Sequence, residues 1–240
     1  MRAAIVTGAS RGIGFALAEV LCQEGLSVTL VSRRLANIKI AEEALLKKGY
    51  DVTAIAANVG VEADIVNVVR QHQERYGRLD VLVNNAGGGV FNSIENTSTN
   101  QIDLQLGINL RSVILFYKES LELLSKSGAE HSNSLVVNVA SVVGKVGVEN
   151  LAVYSAAKHG IVGFTQSMNR ELHHLGIKSC AVCPAFVDTQ MSDYIKDEVP
   201  AEEMIKTSDV AEMFRALLKL SRWCVVPEIV LSRPGDPGVP

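Results

Sequence analysis

Tyr154 and Lys158 stand four positions apart in Val153-Tyr-Ser-Ala-Ala-Lys158. On a helix that spacing puts both side chains on one face, about one turn and ~6 Å of rise apart. A phenol with an ordinary pKa near ~10 exchanges protons poorly at neutral pH. A neighbouring ammonium favours the phenolate and is expected to lower that pKa, so the pair could serve as acid or base. The same spacing also arises where a partly buried tyrosine merely sits beside a solvated lysine. Two features here favour chemistry. Ser155, Ala156, Ala157 and Gly160 are small enough to let another body approach the helix. Ser141 follows the apolar run Leu135–Ala140, and a hydroxyl leaving a strand end could face that helix.

A second group lies near the start of the chain, in Thr7-Gly-Ala-Ser-Arg-Gly-Ile-Gly14. An apolar strand precedes it and a helix follows. Glycines at such a turn let backbone approach a pyrophosphate, and the helix N-terminus supplies free N–H groups and partial positive charge. Gly8, Ser10, Arg11, Gly12, Ile13 and Gly14 are therefore candidate dinucleotide-binding residues. The next strand ends Val31-Ser-Arg-Arg34. An acidic residue at that position holds ribose hydroxyls, whereas an arginine nearby accommodates a 2′-phosphate. Ser32 takes the acidic position, Arg33 follows, and Arg11 is expected to approach from the other side, so the cofactor expected is NADP(H) rather than NAD(H).

The elements that must position these residues alternate. Strands are expected over Ala3–Thr7, Ser27–Val31, Val52–Ala57, Leu79–Val83, Leu135–Val139, Ile177–Cys183 and Glu228–Leu231. Helices are expected over Ile13–Glu24, Leu35–Lys48, Val61–Tyr76, Ile102–Leu124, Leu151–Leu175 and Val210–Leu220, several closed by a following glycine. Apolar strands separated by helices predict an α/β fold: a doubly wound Rossmann-type parallel sheet of about seven strands with helices on both faces. No linker or repeat divides the chain, so residues 1–233 are expected to form one catalytic domain and residues 234–240, rich in proline and glycine, a mobile tail.

Composition narrows the function classes. The chain has 240 residues, 48% hydrophobic and 20% charged, with a formal net charge of −3. No basic patch points to nucleic acid or an anionic membrane, no apolar run approaches the ~20 residues of a membrane span, and no signal peptide is apparent. The expected location is cytoplasmic. Cys180 and Cys183 form a C-x-x-C, but in a strand residues three apart face opposite ways, and no second pair completes a zinc site. No metal is expected. His72 and His131 read as isolated residues in polar surroundings.

The Thr-Gly-x-x-x-Gly-x-Gly turn, Asn84-Asn-Ala-Gly87, Asn109, Ser141, Tyr154 and Lys158 occur in register from Ala3 to about Thr189. On these motifs the chain resembles the short-chain dehydrogenase/reductase family. The resemblance implies that Tyr154 exchanges the proton at the substrate oxygen, Ser141 hydrogen-bonds that oxygen, and Lys158 binds the nicotinamide ribose. It implies that Asn109 holds a water linking Lys158 to solvent, and that Asn85, Ala86 and Gly87 pass close to the cofactor. It further implies that Asn58 and Val59 meet the adenine and that Pro184, Val187 and Thr189 lie at the nicotinamide end. Asn58 replaces a frequent Asp, and Ala185 replaces the glycine that often follows Pro184.

The function implied is an oxidoreductase moving hydride between NADP(H) and a small-molecule carbonyl or alcohol, of the carbonyl reductase or 3-oxoacyl reductase type. A catalytically silent nicotinamide-binding sensor of the same fold is the alternative. Gln190–Val199 is expected to cover the site, and Val143, Val146 and Val148 to form an apolar wall. Apolar residues on more than one helix face, among them Val113, Leu115, Phe116 and Phe164, point to a homotetramer or homodimer.

Overall fold

The computed structural model describes residues 2–131 and 133–235, with only the backbone of His131 included. Seven strands form one sheet: β1 (Ala3–Thr7), β2 (Ser27–Ser32), β3 (Val52–Ala56), β4 (Val81–Asn84), β5 (Ser134–Val139), β6 (Ile177–Pro184) and β7 (Glu228–Leu231). Their order is β3-β2-β1-β4-β5-β6-β7, and every pairing is parallel. The crossovers are α1 (Gly12–Gln23), α2 (Leu35–Leu46), α3 (Glu62–Tyr76), α4 (Thr99–Leu106), α5 (Ser112–His131), α6 (Ala152–Leu172) and α7 (Thr207–Lys219).

The sheet sorts its side chains by the two-residue period of a strand. Along β1, Ala4 and Val6 enter one core with Leu17 of α1, Leu45 of α2 and Phe214 of α7. Ile5 enters the other with Val68 of α3 and Phe116 of α5. Both faces are thus covered, which is why the strands read as continuous apolar runs. The same period separates the two cysteines of β6: Cys180 packs in the first core and Cys183 in a smaller one. Burial pushes their thiols up, to about 12 and about 11. Among the described residues no group of three or more His, Cys, Asp or Glu is placed to hold a metal ion, and no helix is long and apolar enough to cross a membrane.

Several expected boundaries move for physical reasons. β4 starts at Val81 rather than Leu79, because the Asp80 carboxylate accepts the Ala3 N–H at 2.8 Å and two bonds from Arg78. The helix expected over 102–124 is two helices with a π-helical turn, Gly107–Arg111, between them. Leu151–Leu175 ends its α-helical part at Leu172 and finishes as a 3₁₀ turn. Val113, Leu115 and Phe116 are buried within the chain itself, so they offer no surface to a partner. Gly235 has φ +81°, while 236–240 of the expected tail lie outside the described residues.

His72 is not in polar surroundings. It is 0% exposed, with Nδ1 2.8 Å from Thr29 Oγ1 and Nε2 2.9 Å from the Arg78 carbonyl. A carbonyl only accepts, so Nε2 carries the proton and Nδ1 accepts from Thr29. Burial lowers its pKa from 6.5 to about 4. The unfolded chain therefore binds the proton first as pH falls, and stability present above pH 6.5 is lost toward pH 4. The expected loss is on the order of 3 kcal/mol. A His72→Gln variant should unfold at lower temperature at pH 7 yet show a shallower decline from pH 6.5 to 4.5. Parallel calorimetric declines in both proteins would refute this role.

Candidate active site

Sheet order reverses between β1 and β4, whose carboxyl ends open the crevice where open α/β sheets bind ligands. Lys158, 4% exposed on α6, donates from Nζ to the Val139 carbonyl at 2.8 Å, where β5 ends. The same Nζ lies 5.4 Å from the centroid of the Tyr154 ring. Ser155 fastens the helix from its neighbouring turn, its hydroxyl donating to the carbonyls of Val143 at 2.6 Å and Val146 at 3.3 Å. Gly144 completes the contact: a Cβ there would fall 2.8 Å from the Lys158 carbonyl oxygen. Ser141 lies within the segment so clamped. Its hydroxyl donates to the Pro184 carbonyl and accepts the Val143 N–H, both at a long 3.4 Å, so it is loosely held and can turn.

The electrostatics differ from the expectation. Burial raises the Tyr154 phenol to about 12, with Tyr194 adding to the rise. Burial lowers Lys158 to about 8, with Cys183 pulling weakly the other way. Desolvation penalises both charged forms and is the largest cause of both shifts. The ammonium sits by the ring and is bonded to Val139. At neutral pH the pair is a neutral phenol beside a largely protonated lysine.

Around this pair, polar side chains hold irregular backbone. Asn85 donates from Nδ2 to the Thr7 carbonyl at 3.0 Å, and the Asn85 and Ala86 N–H groups both donate to Thr7 Oγ1 at 3.0 Å. Asn109, in the π-helical turn and fully buried, accepts the Gly88 N–H at 3.0 Å. It donates to the carbonyls of Gly88 and Gln105, each at 2.8 Å. Its carboxamide is thus engaged in holding the loop after β4. A Cβ on Gly87 would fall 2.6 Å from Asn109 Oδ1 and 3.6 Å from Lys158 Nζ, so Asn109 and Lys158 meet at this loop.

The glycine turn lies alongside. Gly8 and Gly12 have φ of +67° and +56°, the left-handed region that glycine enters without steric cost. A Cβ on Gly8 would lie 2.7 Å from Asn85 Nδ2, and one on Gly14 would collide with the Gly8 carbonyl. Ser10 and Ile13 are half-buried between them. The Ala9 N–H donates to the Val31 carbonyl at 3.1 Å, which puts the turn beside Ser32 and Arg33. Arg33 is exposed, but Arg11 donates to Gln190 instead of converging on it. Asn58 turns its side-chain oxygen to the Gly60 N–H at 3.1 Å, and Val59 packs against the second core. Pro184 closes β6, Val187 is buried and bridged to Ile205, and Thr189 lies 3.2 Å from where a Gly12 Cβ would be.

Gln190–Ile195 is a 3₁₀ segment, and its Tyr194 ring lies 4.5 Å from that of Phe91. Of the expected valine wall, Val143 is buried and Val148 is 41% exposed. Phe91 and Gln105 carry no motif to mark them, while Ser155, expected only to leave room beside the helix, instead bonds to Val143 and Val146. Gln105 stands one helical turn before Asn109, and a polar residue repeated on a helix face is the signal that would have found it.

The short chain dehydrogenase family profile matches residues 2–200. A 3-oxoacyl-[acyl-carrier-protein] reductase of Staphylococcus aureus is 37% identical over 210 residues, covering 85% of this chain and 81% of the relative. A variant of actinorhodin polyketide ketoreductase solved with NADPH superposes with a TM-score of 0.87 at 31% identity, over 96% of this chain and 94% of that one. An alcohol dehydrogenase from the archaeon Thermococcus sibiricus, complexed with 5-hydroxy-NADP, superposes with a TM-score of 0.86 at 27% identity, over 98% and 97%.

Proposed function

This chain belongs to the short-chain dehydrogenase family, and on that premise we propose that it moves a hydride between NADP(H) and the carbonyl or alcohol carbon of a small molecule, with Tyr154 as acid and base. The observation that carries this reading is the half-buried Tyr154 beside the buried Lys158, anchored on Val139, with the loosely held Ser141 hydroxyl two residues further along that segment.

The residues present fit a dinucleotide. α1 begins without a side-chain cap and without an acidic residue in its first turn, so its N–H groups and partial positive charge favour an anion. The backbone cradle at Gly8 and Gly14 admits no Cβ. Gly8 to Gly14 would hold the pyrophosphate, Asn58 and Val59 the adenine, and Asn85 to Gly87 with Pro184, Val187 and Thr189 the nicotinamide half. NADP(H), when bound, supplies or accepts the hydride.

The chain's own groups handle the proton. Tyr154, kept neutral by burial, is in the form that can donate to a developing alkoxide. Ser141 would turn from its long contacts to hydrogen-bond the same oxygen. The Lys158 cation favours the phenolate that proton donation leaves. A raised phenol pKa suits the reducing direction, in which Tyr154 must start protonated.

A panel of aldehydes, ketones, diketones and 3-oxoacyl thioesters, followed by NADPH oxidation, tests the reading. Tyr154→Phe should bind NADPH nearly as well as wild type and lose at least ~10²-fold in kcat, the usual worth of positioned proton transfer. NADPH binding by wild type without turnover on any carbonyl would favour a silent sensor, and a Phe variant retaining a tenth of kcat would remove Tyr154 from the role.

Cofactor choice has its own test. Arg33, exposed beside the glycine turn with Ser32 in the usual acidic position, is the group proposed to take the 2′-phosphate. Arg33→Ala should weaken NADPH by roughly ten- to a hundredfold, the worth of a hydrogen bond to a charged group, and leave NADH nearly unchanged. Ser32→Asp should reverse the preference. Equal wild-type affinities, or a loss shared by NADH, would exclude this assignment.

A further inference from the structure

We propose that Gln105 is a positioning residue for the reaction: from α4 it holds the Val90 peptide so that Gly89 faces the Tyr154 ring and Phe91 reaches Tyr194. The proposal rests on the reading of Tyr154 as the acid. Gln105 is 2% exposed, and its Oε1 accepts the Val90 N–H at 3.0 Å. A buried carboxamide is costly in an apolar setting unless bonded, and a leucine would fill similar volume without that cost. The bond is therefore what a glutamine contributes at this position.

What it holds is the middle of a strip that, among the described residues, has no other hydrogen bond between Gly88 and Asn92. One residue pair upstream, Asn109 binds both polar groups of Gly88. Downstream, the Asn92 N–H reaches the Asn150 carbonyl at 2.9 Å. Between these anchors lies Gly89, where a Cβ would sit 3.5 Å from Cγ and Cδ2 of Tyr154. The strip thus runs past the phenol ring with room for no more than a methyl group between them. Further along it, Phe91 meets Tyr194 at 4.5 Å between centroids, joining the strip to the segment opposite. Without the Gln105 bond, no other hydrogen bond among the described residues holds the strip between Gly88 and Asn92, so its approach to the Tyr154 ring and the aromatic contact loosen together. The next turn, the π-helical Gly107–Arg111, carries the Asn109 clamp, so the two side chains act on one backbone from consecutive turns.

Amide hydrogen exchange on the substrate-free chain reads the clamp directly. In wild type, the Val90 amide should be protected; rapid exchange there would overturn the proposal even if no variant folds. In Gln105→Leu, exchange at Val90 should accelerate and kcat for carbonyl reduction should fall about tenfold or more, as expected when a reacting group is slightly misplaced. NADPH affinity should stay near the wild-type value, because the glycine turn is held separately by Asn85. Gln105→Glu keeps an acceptor oxygen in either protonation state and should restore most of kcat. A Leu variant with wild-type kcat, or a Glu variant as impaired as Leu, contradicts the proposal. A wild-type protein that turns over no carbonyl would defeat the reaction itself, a result separable from Val90 exchange, which needs no substrate.

Discussion

Lys158 carries its ammonium to a place that water scarcely reaches, and the Val139 carbonyl at the end of β5 takes one of its hydrogens. Desolvating a cation is unfavourable, so the surrounding chain must hold it there. Ser155 locks the helix down on Val143 and Val146, and Gly144 leaves no space between that segment and Lys158. The same burial that lowers Lys158 raises Tyr154. The two shifts share their largest cause, and they leave a protonated phenol beside a cation ready to stabilise its conjugate base.

Irregular backbone surrounds this pair, and it is held by carboxamides and hydroxyls rather than by strand pairing. Asn84 donates to Asn138 at 2.9 Å, and Asn138 to Thr165 at 2.9 Å, tying β4, β5 and α6 below the site. Asn85 fastens the glycine turn through Thr7, while Asn109 and Gln105 fasten the loop after β4. Each satisfies part-buried backbone groups that no strand reaches, which a parallel sheet cannot otherwise do beyond its carboxyl edge. The extra residue of the π-helical turn brings Asn109 inward, consistent with the frequent use of such turns near functional sites.

Much of this was legible in the residues because it depends on local patterns. The continuous apolar strands, the glycine turn and the Tyr154–Lys158 spacing each report a geometry fixed within a few positions. The sheet and its helices therefore appear close to where the periodicity puts them. The π-helical turn was not legible, since a single inserted residue barely disturbs the apolar repeat across 102–124. The direction of the Tyr154 shift was misread for a different reason: spacing along a helix says nothing about how far the pair is desolvated by distant elements. The Arg11–Gln190 contact and the Phe91–Tyr194 pair join residues far apart in the chain, while His72 does continue the buried stripe Ile65, Val68 and Val69 of α3, a helical spacing that its polar neighbours in sequence masked.

The whole arrangement depends most directly on the desolvated lysine. A heteronuclear NMR titration of the Lys158 side chain, assigned by comparison with a Lys158→Met variant, measures it without substrate. The account predicts a midpoint of about 8 in place of the ordinary 10.5. A midpoint at the ordinary value would mean that water reaches the ammonium, and would contradict the arrangement from which the rest follows.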